Sequence, residues 1–355
     1  MKIVQVVTSA EWGGAQRHVY DLSRELRQMG HDVIVLYGVE GRLHELLTAA
    51  HMPVYQVPWL TRNIRPWQDF RALSAIRRQI EAFDPDIVHA HSSKAGVLVR
   101  MAMRKRSVSV VYTIHGLTYL DRRMPSWKRF VYRAVERKML PLAQGTIAVS
   151  QRDLDDLIGR GGDKVTHLVH IPNGIEPFSE SIPIPNVPVI GTITRLVPHK
   201  ALDVLLNAVA EVRKVVPNVQ LIVVGDGPLR TQLEHQAREL GIDDITRFAG
   251  FQTNVVEWLA RMRVFALTSV KEGMPYALLE AIASGRVVVA NDIGTLPETL
   301  KGEGVITVPV GDQDALIRGL IKGVTEYGSI PTRVVTTPHA MAKQVLEVYR
   351  QVLEI

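Results

Sequence analysis

The chain contains no cysteine, which excludes disulfides, Cys-ligated metals and thiol nucleophiles. Its longest apolar runs are strand length, far short of a membrane-spanning helix. The opening MKIVQVVTS reads as a strand and not as a signal peptide, so a cytoplasmic chain is expected. The 12 histidines show no metal-ligand spacing along a helix face, and no metal is expected. No nucleic-acid-binding module and no run of exposed aromatics on strands is recognisable, so nucleic acid is not an expected partner. No glycine cluster completes a dinucleotide fingerprint either. Gly13-Gly14 lacks the third glycine and GDGPLR, from Gly225, fails in the same way, which disfavours a Rossmann dehydrogenase.

What the chain does have is length for two cores. At 355 residues it exceeds the usual size of one domain, and 46% hydrophobic content suffices for burial. Strand-like runs alternate with helical patterns nearly throughout, implying parallel sheets covered on both faces. The first series is KIVQVVT, DVIVLY, PVYQV, DIVHA, VSVVYTI and TIAVS. After IPNGI the pattern breaks at EPFSESIPIPNVP, which holds four prolines in 13 residues and reads as a linker. The second series is VIGTI, VQLIVVG, ITRFAG, RVFALTS, RVVVAND and VITVP. The expected fold is α/β, with two doubly wound Rossmann-like domains facing each other across a cleft that holds the ligand. The expected boundaries are 1–174, a linker over 175–187, and 188–337, with a final helix over 338–355 crossing back to the first domain.

The most informative segment is EGMPYALLE, bracketed by Glu272 and Glu280. Pro275 to Gly285 reads as a helix with Pro at the first helical position and Gly just past the end. Tyr276, Ala277, Leu278, Leu279, Ala281, Ile282 and Ala283 leave no polar face, so Glu280 is expected to be a buried carboxylate. No Lys or Arg lies within four residues of it, and a buried charge requires partners. A distant Arg or backbone amides would serve, and so would a diol such as a nucleotide ribose.

Lys200 follows the strand end VIGTITRLVPHK and opens the helix ALDVLLNAVAEV. A cation in a first turn opposes the helix dipole, so an anion is expected there, clamped by Lys200 and by Arg195 on the same loop. Gly13-Gly14, Gly225-Asp226-Gly227-Pro228 and Gly273 precede other helices, where free amides form anion sites or merely tight turns. His115-Gly116 ends VSVVYTI; this histidine either donates to a ligand hydroxyl or phosphate or caps the core. His89 and His91 end DIVHAHSSKAG, with Ser92, Ser93 and Lys94 at the next helix start. Lys94 repeats the Lys200 anomaly, and a second anion in the first domain is the economical explanation.

Charge is unevenly spread. Residues 61–140 carry 17 Lys and Arg against 6 Asp and Glu, an excess of +11 in a chain of net charge +6. An anionic membrane or a phosphorylated acceptor is the expected partner. The helix SWKRFVYRAVERKML aligns Trp127, Phe130, Val131, Ala134, Val135 and Lys138 on one stripe. The stripe is expected to pack on the first sheet, leaving the basic face and the preceding loop, within 118–140, to lipid headgroups.

Taken together, these motifs resemble the family 4 retaining glycosyltransferases of the GT-B fold over nearly the whole chain. The most specific element is the pair Glu272 and Glu280 with seven residues between. GGA near the start, Arg195 with Lys200, VGDGP, IPNGI and the LPE of IGTLPE support it in order and spacing. The resemblance implies that Glu272 contacts the donor sugar, Glu280 holds the nucleotide ribose, and Arg195 and Lys200 bind the diphosphate. Gly14 would lie beside the phosphates, His115 would reach sugar hydroxyls, and Gly225, Gly273, Met274, Pro275, Gly294, Thr295 and Leu296 would line the donor site. Ala201 and Thr295 depart from the family, which usually has glycine at both positions. HSSKAG resembles the acceptor side of bacterial polysaccharide-building members and implies a lipid-linked saccharide acceptor. The implied activity is retaining, metal-independent hexosyl transfer from a nucleotide-sugar, most simply UDP-linked, which is a substrate and not a cofactor. It would act in the cytoplasm, peripherally on the inner membrane face. A UDP-sugar epimerase of the same fold and a non-catalytic nucleotide-sugar-binding protein are the alternatives.

Overall fold

The structure, a computed structural model, describes all residues except 160–166, 179–181, 328–329, 331, 334 and 355. Parts of the expected linker, of the loop SIPTRVVTT and the last residue of the final helix therefore lie outside the described residues. The chain divides into two units: Met1–Leu120 with Met124–Gly174 and Thr336–Ile355, and Asp121–Arg123 with Ile175–Val335.

The first unit is built on seven parallel strands: β1 (Lys2–Ser9), β2 (Asp32–Val39), β3 (Val54–Gln56), β4 (Ile87–His91), β5 (Ser109–Ile114), β6 (Gly145–Ala148) and β7 (Leu168–His170). Their order is β3-β2-β1-β4-β5-β6-β7. The near-continuous apolar runs of β1, β2 and β5 are what a sheet covered on both faces requires, and these strands are buried almost end to end. The sequence reading omits β7, a three-residue, half-buried edge strand too short to show a pattern.

Helices α1 (Gly14–Gln28), α2 (Arg42–Ala49), α3 (Pro66–Phe83), α4 (Ser93–Met103), α5 (Ser126–Met139) and α6 (Gln151–Ile158) connect these strands. The last helix of the chain, α12 (Pro338–Leu353), belongs to the same unit. Thr337 caps it by accepting from Ala340 N, and Pro338 occupies its first turn. Met341, Val345, Leu346, Val348 and Tyr349 of α12 pack with Ile3, Leu22, Leu26, Ile87, Val111 and Ile147, completing one face of the sheet. Gly174 is needed for this crossing, because a Cβ there would lie 2.4 Å from the Thr337 carbonyl.

The stripe of α5 does not pack on the sheet. Trp127 is 65% exposed and Phe130 70%, and Val131 and Val135 are exposed as well. The buried side chain of α5 is instead Glu136, which pairs with the fully buried Arg100 at 3.0 Å. Arg100 also donates to Gly96 O and lies over the Tyr112 ring. A buried, hydrogen-bonded ion pair thus anchors α5 and turns its apolar stripe outward.

The second unit holds β8 (Val189–Ile193), β9 (Gln220–Val224), β10 (Thr246–Gly250), β11 (Val264–Leu267), β12 (Val287–Asn291) and β13 (Val305–Val308), in the order β10-β9-β8-β11-β12-β13. Its helices are α7 (Leu202–Val215), α8 (Arg230–Glu239), α9 (Val255–Leu259), α10 (Tyr276–Ala283) and α11 (Gln313–Thr325). Both units are therefore doubly wound, with strand order reversing between β1 and β4 in the first and between β8 and β11 in the second. Ligand-binding residues of such sheets gather at the carboxyl ends flanking that reversal.

Candidate active site

In the second unit, the loops after β8 and β11 are tied to each other. Val270 N donates to His199 O at 2.9 Å and Thr268 Oγ1 to Lys200 O at 3.0 Å. Asn291, at the end of β12, donates through its amide to Thr268 O and Ser269 O. The glycines of GDGP bring a third loop against the first. Gly225 adopts φ +129°, and a Cβ on it would lie 1.8 Å from Thr194 O; one on Gly227 would lie 2.5 Å from Leu196 O. The loop that carries Arg195 is thus held by backbone contact on one side and by the β11 loop on the other.

Lys200 does not open α7. It ends a 3-10 turn, and Ala201, at φ 50° and ψ 43°, is the N-cap of the helix. The left-handed conformation of Ala201 is one that glycine adopts without strain. The dipole argument for an anion at Lys200 therefore falls away, because Lys200 precedes the helix and its Nζ donates to the Glu272 carboxylate. Both side chains are 12% exposed. Burial pushes the Glu272 carboxyl up, but the Lys200 ammonium and the Ser269 hydroxyl outweigh it and hold the group below the usual carboxylate range. His199, beside them, is pushed down to about 4 by burial and by Lys200, with Lys271 and Arg195 adding to the effect and Glu272 opposing it. The field at this loop is cationic.

Pro275 is the N-cap of α10 and not its first residue. Met274 is 4% exposed and Glu280 7%, so a carboxylate does sit inside an apolar helix. Gly273 is buried. Gly294, at φ +68°, begins the turn that buries Thr295, with Leu296 half-buried after it. Arg195 is exposed. These residues all stand at the carboxyl ends of β8, β9, β11 and β12 or on α10.

In the first unit, Gly14 is the first residue of α1. Ser92, at φ 70°, shares a hydrogen bond with Thr8 at 2.7 Å, and Ser93 shares one with Thr118 at 3.1 Å. Lys94 already has its anion: Nζ lies 2.6 Å from Asp69 and also donates to Asn63 O. The second external anion inferred from Lys94 is thus unnecessary, since α3 supplies the charge.

His115 joins a histidine array that sequence spacing did not reveal. His18 from α1, His89 and His91 from β4 and His115 after β5 pack against one another with ring centroids 4.2 to 5.4 Å apart. His115 Nε2 lies 3.1 Å from His91 Nδ1, and His91 Nε2 lies 2.5 Å from Gln5 Oε1. His18 Nδ1 lies 2.9 Å from Asn173 Oδ1, while His89 contacts Tyr349 OH and Thr113 Oγ1. Burial lowers all four imidazoles, His18 to about 4, and each of the other three is lowered further by its histidine neighbours. Nitrogens of His18, His91 and His115 lie within 4.8 Å of one another, which raises the question of a metal. That spacing is loose beside the roughly 3.4 Å edge of a tetrahedral zinc site with Zn–N about 2.05 Å, and a hydrogen bond already joins two of the three.

Sequence reasoning missed His18, Gln5, Asn173, His199 and Lys271. His18 follows GGAQR, Asn173 is within IPNGI and His199 within VPHK, so each adjoined a motif already in view. Their relevance depends on which strands lie side by side.

Comparison with known proteins gives residues 12–177 as matching the family described as Glycosyltransferase Family 4. Residues 187–326 match that described as Glycosyl transferases group 1. The phosphatidyl-myo-inositol mannosyltransferase of Mycobacterium leprae is 30% identical over 325 residues, covering 87% of this chain and 83% of that protein. The UDP-Gal:alpha-D-GlcNAc-diphosphoundecaprenol alpha-1,3-galactosyltransferase of Escherichia coli is 26% identical over 340 residues, covering 91% and 87%. Among solved structures, Anabaena HepE in complex with UDP and glucose superposes with a TM-score of 0.77 at 23% identity, covering 100% of this chain and 98% of that one.

Proposed function

Because the chain belongs to the family 4 glycosyltransferases and has their GT-B fold, we propose that it transfers a hexose, with retention, from a UDP-sugar to a lipid-linked saccharide in bacterial surface-polysaccharide assembly. The observation that carries this reading is the Lys200–Glu272 pair at the strand reversal of the second sheet, with Arg195, His199 and Lys271 around it. An ammonium has three N–H donors and Glu272 takes one, so Lys200 can also hold a diphosphate oxygen. Arg195 adds a second cation. Together they stabilise the charge that gathers on the leaving diphosphate, the role that a metal would otherwise have. Glu272 orients the sugar and Glu280, inside α10, accepts from the ribose diol. In this scheme the acceptor attacks from the face that the leaving group vacates, and a phosphate oxygen takes its proton.

The names of similar proteins support the choice of substrates. The structural neighbour holds UDP and glucose, and two relatives act on a diphosphoundecaprenol-linked sugar and on a phosphatidylinositol. For an acceptor anchored in lipid, α5 offers a membrane surface: Trp127, Phe130 and Val131 face outward beside Lys128, Arg137 and Lys138. A second patch, Trp59, Ile64, Trp67 and Phe70 with Arg71 over both tryptophan rings, has the same chemistry. No helix among the described residues is long and apolar enough to cross a membrane. We place the protein at the cytoplasmic face of the membrane.

Thermal unfolding in EDTA with UDP, GDP or ADP tests the donor site, since a ligand held only by the folded chain raises the midpoint by mass action. A shift with UDP that Glu280→Gln abolishes is expected. No shift with any nucleotide, in a folded sample, refutes the reading. Lys200→Ala and Glu272→Ala should each remove at least about 100-fold of turnover, the scale of losing one transition-state charge partner; near-normal turnover in either removes that residue from the site.

A further inference from the structure

The histidine array of the first unit has a direction. Gln5 is fully buried in β1, and its Oε1 can only accept, so the proton at the 2.5 Å contact belongs to His91 Nε2. A neutral His91 then has a bare lone pair on Nδ1. The proton at the 3.1 Å contact with His115 must therefore come from His115 Nε2, which leaves Nδ1 of a neutral His115 as an acceptor. The same logic applies to His18. Asn173 Oδ1 accepts from its Nδ1–H, and its Nε2 is a buried atom without a hydrogen-bond partner, fixing His18 as a neutral ring edge-on to His115 at 4.8 Å. Among the described residues no donor reaches His115 Nδ1, and His115 is the half-buried member of the set.

We infer that the Gln5–His91–His115 relay sets His115 as a hydrogen-bond acceptor, so that it binds a sugar hydroxyl and rejects a phosphate oxygen, with Gln5 and His91 as positioning residues. This rests on the proposed function for the identity of the sugar. A lone pair attracts O–H and repels the anionic oxygen of a diphosphate, so this edge of His115 takes an uncharged polyol. A donor hexose and an acceptor saccharide both present such a hydroxyl, and the chemistry is shared.

The relay can be reversed by one near-isosteric change. In Gln5→Glu, a buried carboxylate favours protonated His91, whose Nδ1–H then donates to His115 Nε2 and forces the proton of His115 onto Nδ1. Selective nitrogen-15 labelling of histidine reads the tautomers directly. In the native chain His115 is expected as the Nε2–H tautomer, and in Gln5→Glu as Nδ1–H. UDP should bind both equally, while the advantage of UDP-glucose over UDP should fall about tenfold in the variant. If the His115 Nδ1 resonance moves with UDP-glucose, the donor hexose is the source; if it moves only with methyl α-N-acetylglucosaminide added to the UDP complex, the acceptor is. Should Gln5→Glu unfold, Gln5→Met removes the acceptor without a charge and should give mixed tautomers. His115 found as Nδ1–H in the native chain overturns the inference, as does movement of its resonance with UDP alone. Stoichiometric zinc in the isolated protein that is lost in His18→Phe would also overturn it, because the lone pairs would then serve a metal. If UDP does not bind the native chain, the proposed function fails, while the tautomers still decide the relay.

Discussion

Mild acid should unfold the first unit, and the histidine array sets the scale. His18 is held down to about 4 by burial, against the ordinary value near 6.5. Its folded pKa lies below its unfolded one, so below about pH 6.5 the unfolded chain binds a proton that the native state refuses. The stability attached to neutral His18 is thus complete at pH 7 and is lost as pH falls from about 6.5 toward 4. At 1.36 kcal/mol per unit, the loss from His18 alone is about 2 kcal/mol between pH 7 and pH 5. His89, His91 and His115 are also lowered by burial and by one another, so they act with the same sign. Such a loss is a large fraction of the roughly 5–15 kcal/mol that holds a domain together.

Urea unfolding followed by tryptophan fluorescence measures this, since Trp12, Trp59, Trp67 and Trp127 lie in the first unit and Trp258 alone in the second. The midpoint should fall steeply from pH 6.5 to pH 5. His18→Phe supplies the internal control. It loses the hydrogen bond to Asn173, worth about 1 kcal/mol, and is less stable than the native chain at pH 7.5. Its slope is shallower by one proton, so the two stability curves should cross close to pH 6. A native midpoint that stays flat between pH 7 and pH 5, or a variant whose curve runs parallel to the native one, would refute the reasoning.

Other perturbations separate the two units. Gly225→Ala should destabilise the second unit by about 3 kcal/mol or more, through a left-handed φ and a collision with Thr194 O; Trp258 fluorescence reads it, and unchanged stability would deny the loop contact. Truncation after Val335 removes five large buried side chains of α12, about 10 kcal/mol at roughly 2 kcal/mol each. The first unit should then fail to fold, seen as loss of its amide protection in hydrogen exchange. Phe130→Asp, on the exposed stripe of α5, should weaken flotation with anionic phosphatidylglycerol vesicles and leave UDP binding unchanged; full flotation would remove α5 from the membrane contact.

Alternating strand and helix patterns made the doubly wound architecture legible, because a strand buried on both faces must be apolar along its length. The local chemistry of EGMPYALLE was legible for the same reason: a carboxylate on an all-apolar helix is visible without coordinates. Elements whose placement depends on partners far along the chain were not. The amphipathicity of α5 was plain, but only Arg100, thirty-six residues before Glu136, decides that the polar edge goes in and Trp127 and Phe130 stay out. Lys200 and Lys94 looked like cations misplaced at helix starts. Their partners, Glu272 and Asp69, lie 72 and 25 positions away, and Ala201 had to turn left-handed before Lys200 could be seen to precede α7. The histidine array is the extreme case: α1, β4 and β5 supply its members, and no spacing in sequence encodes that β1 lies beside β4 and β4 beside β5.

The two units share one strand order but load its point of reversal with opposite chemistry. In the first, three buried imidazoles and the half-buried His115 are arranged by Gln5, Asn173 and Tyr349 so that none needs a charge. In the second, Lys200 pairs with Glu272, and burial, with Lys200, Lys271 and Arg195 adding to it, holds His199 neutral. A buried neutral array discriminates by hydrogen-bond direction, whereas a cluster of fixed cations discriminates by charge. Imidazoles held neutral by burial cannot compensate a diphosphate, and fixed cations have no preference among hydroxyls. The difference therefore follows from the side chains that each reversal point presents, and not from the fold that the two units have in common.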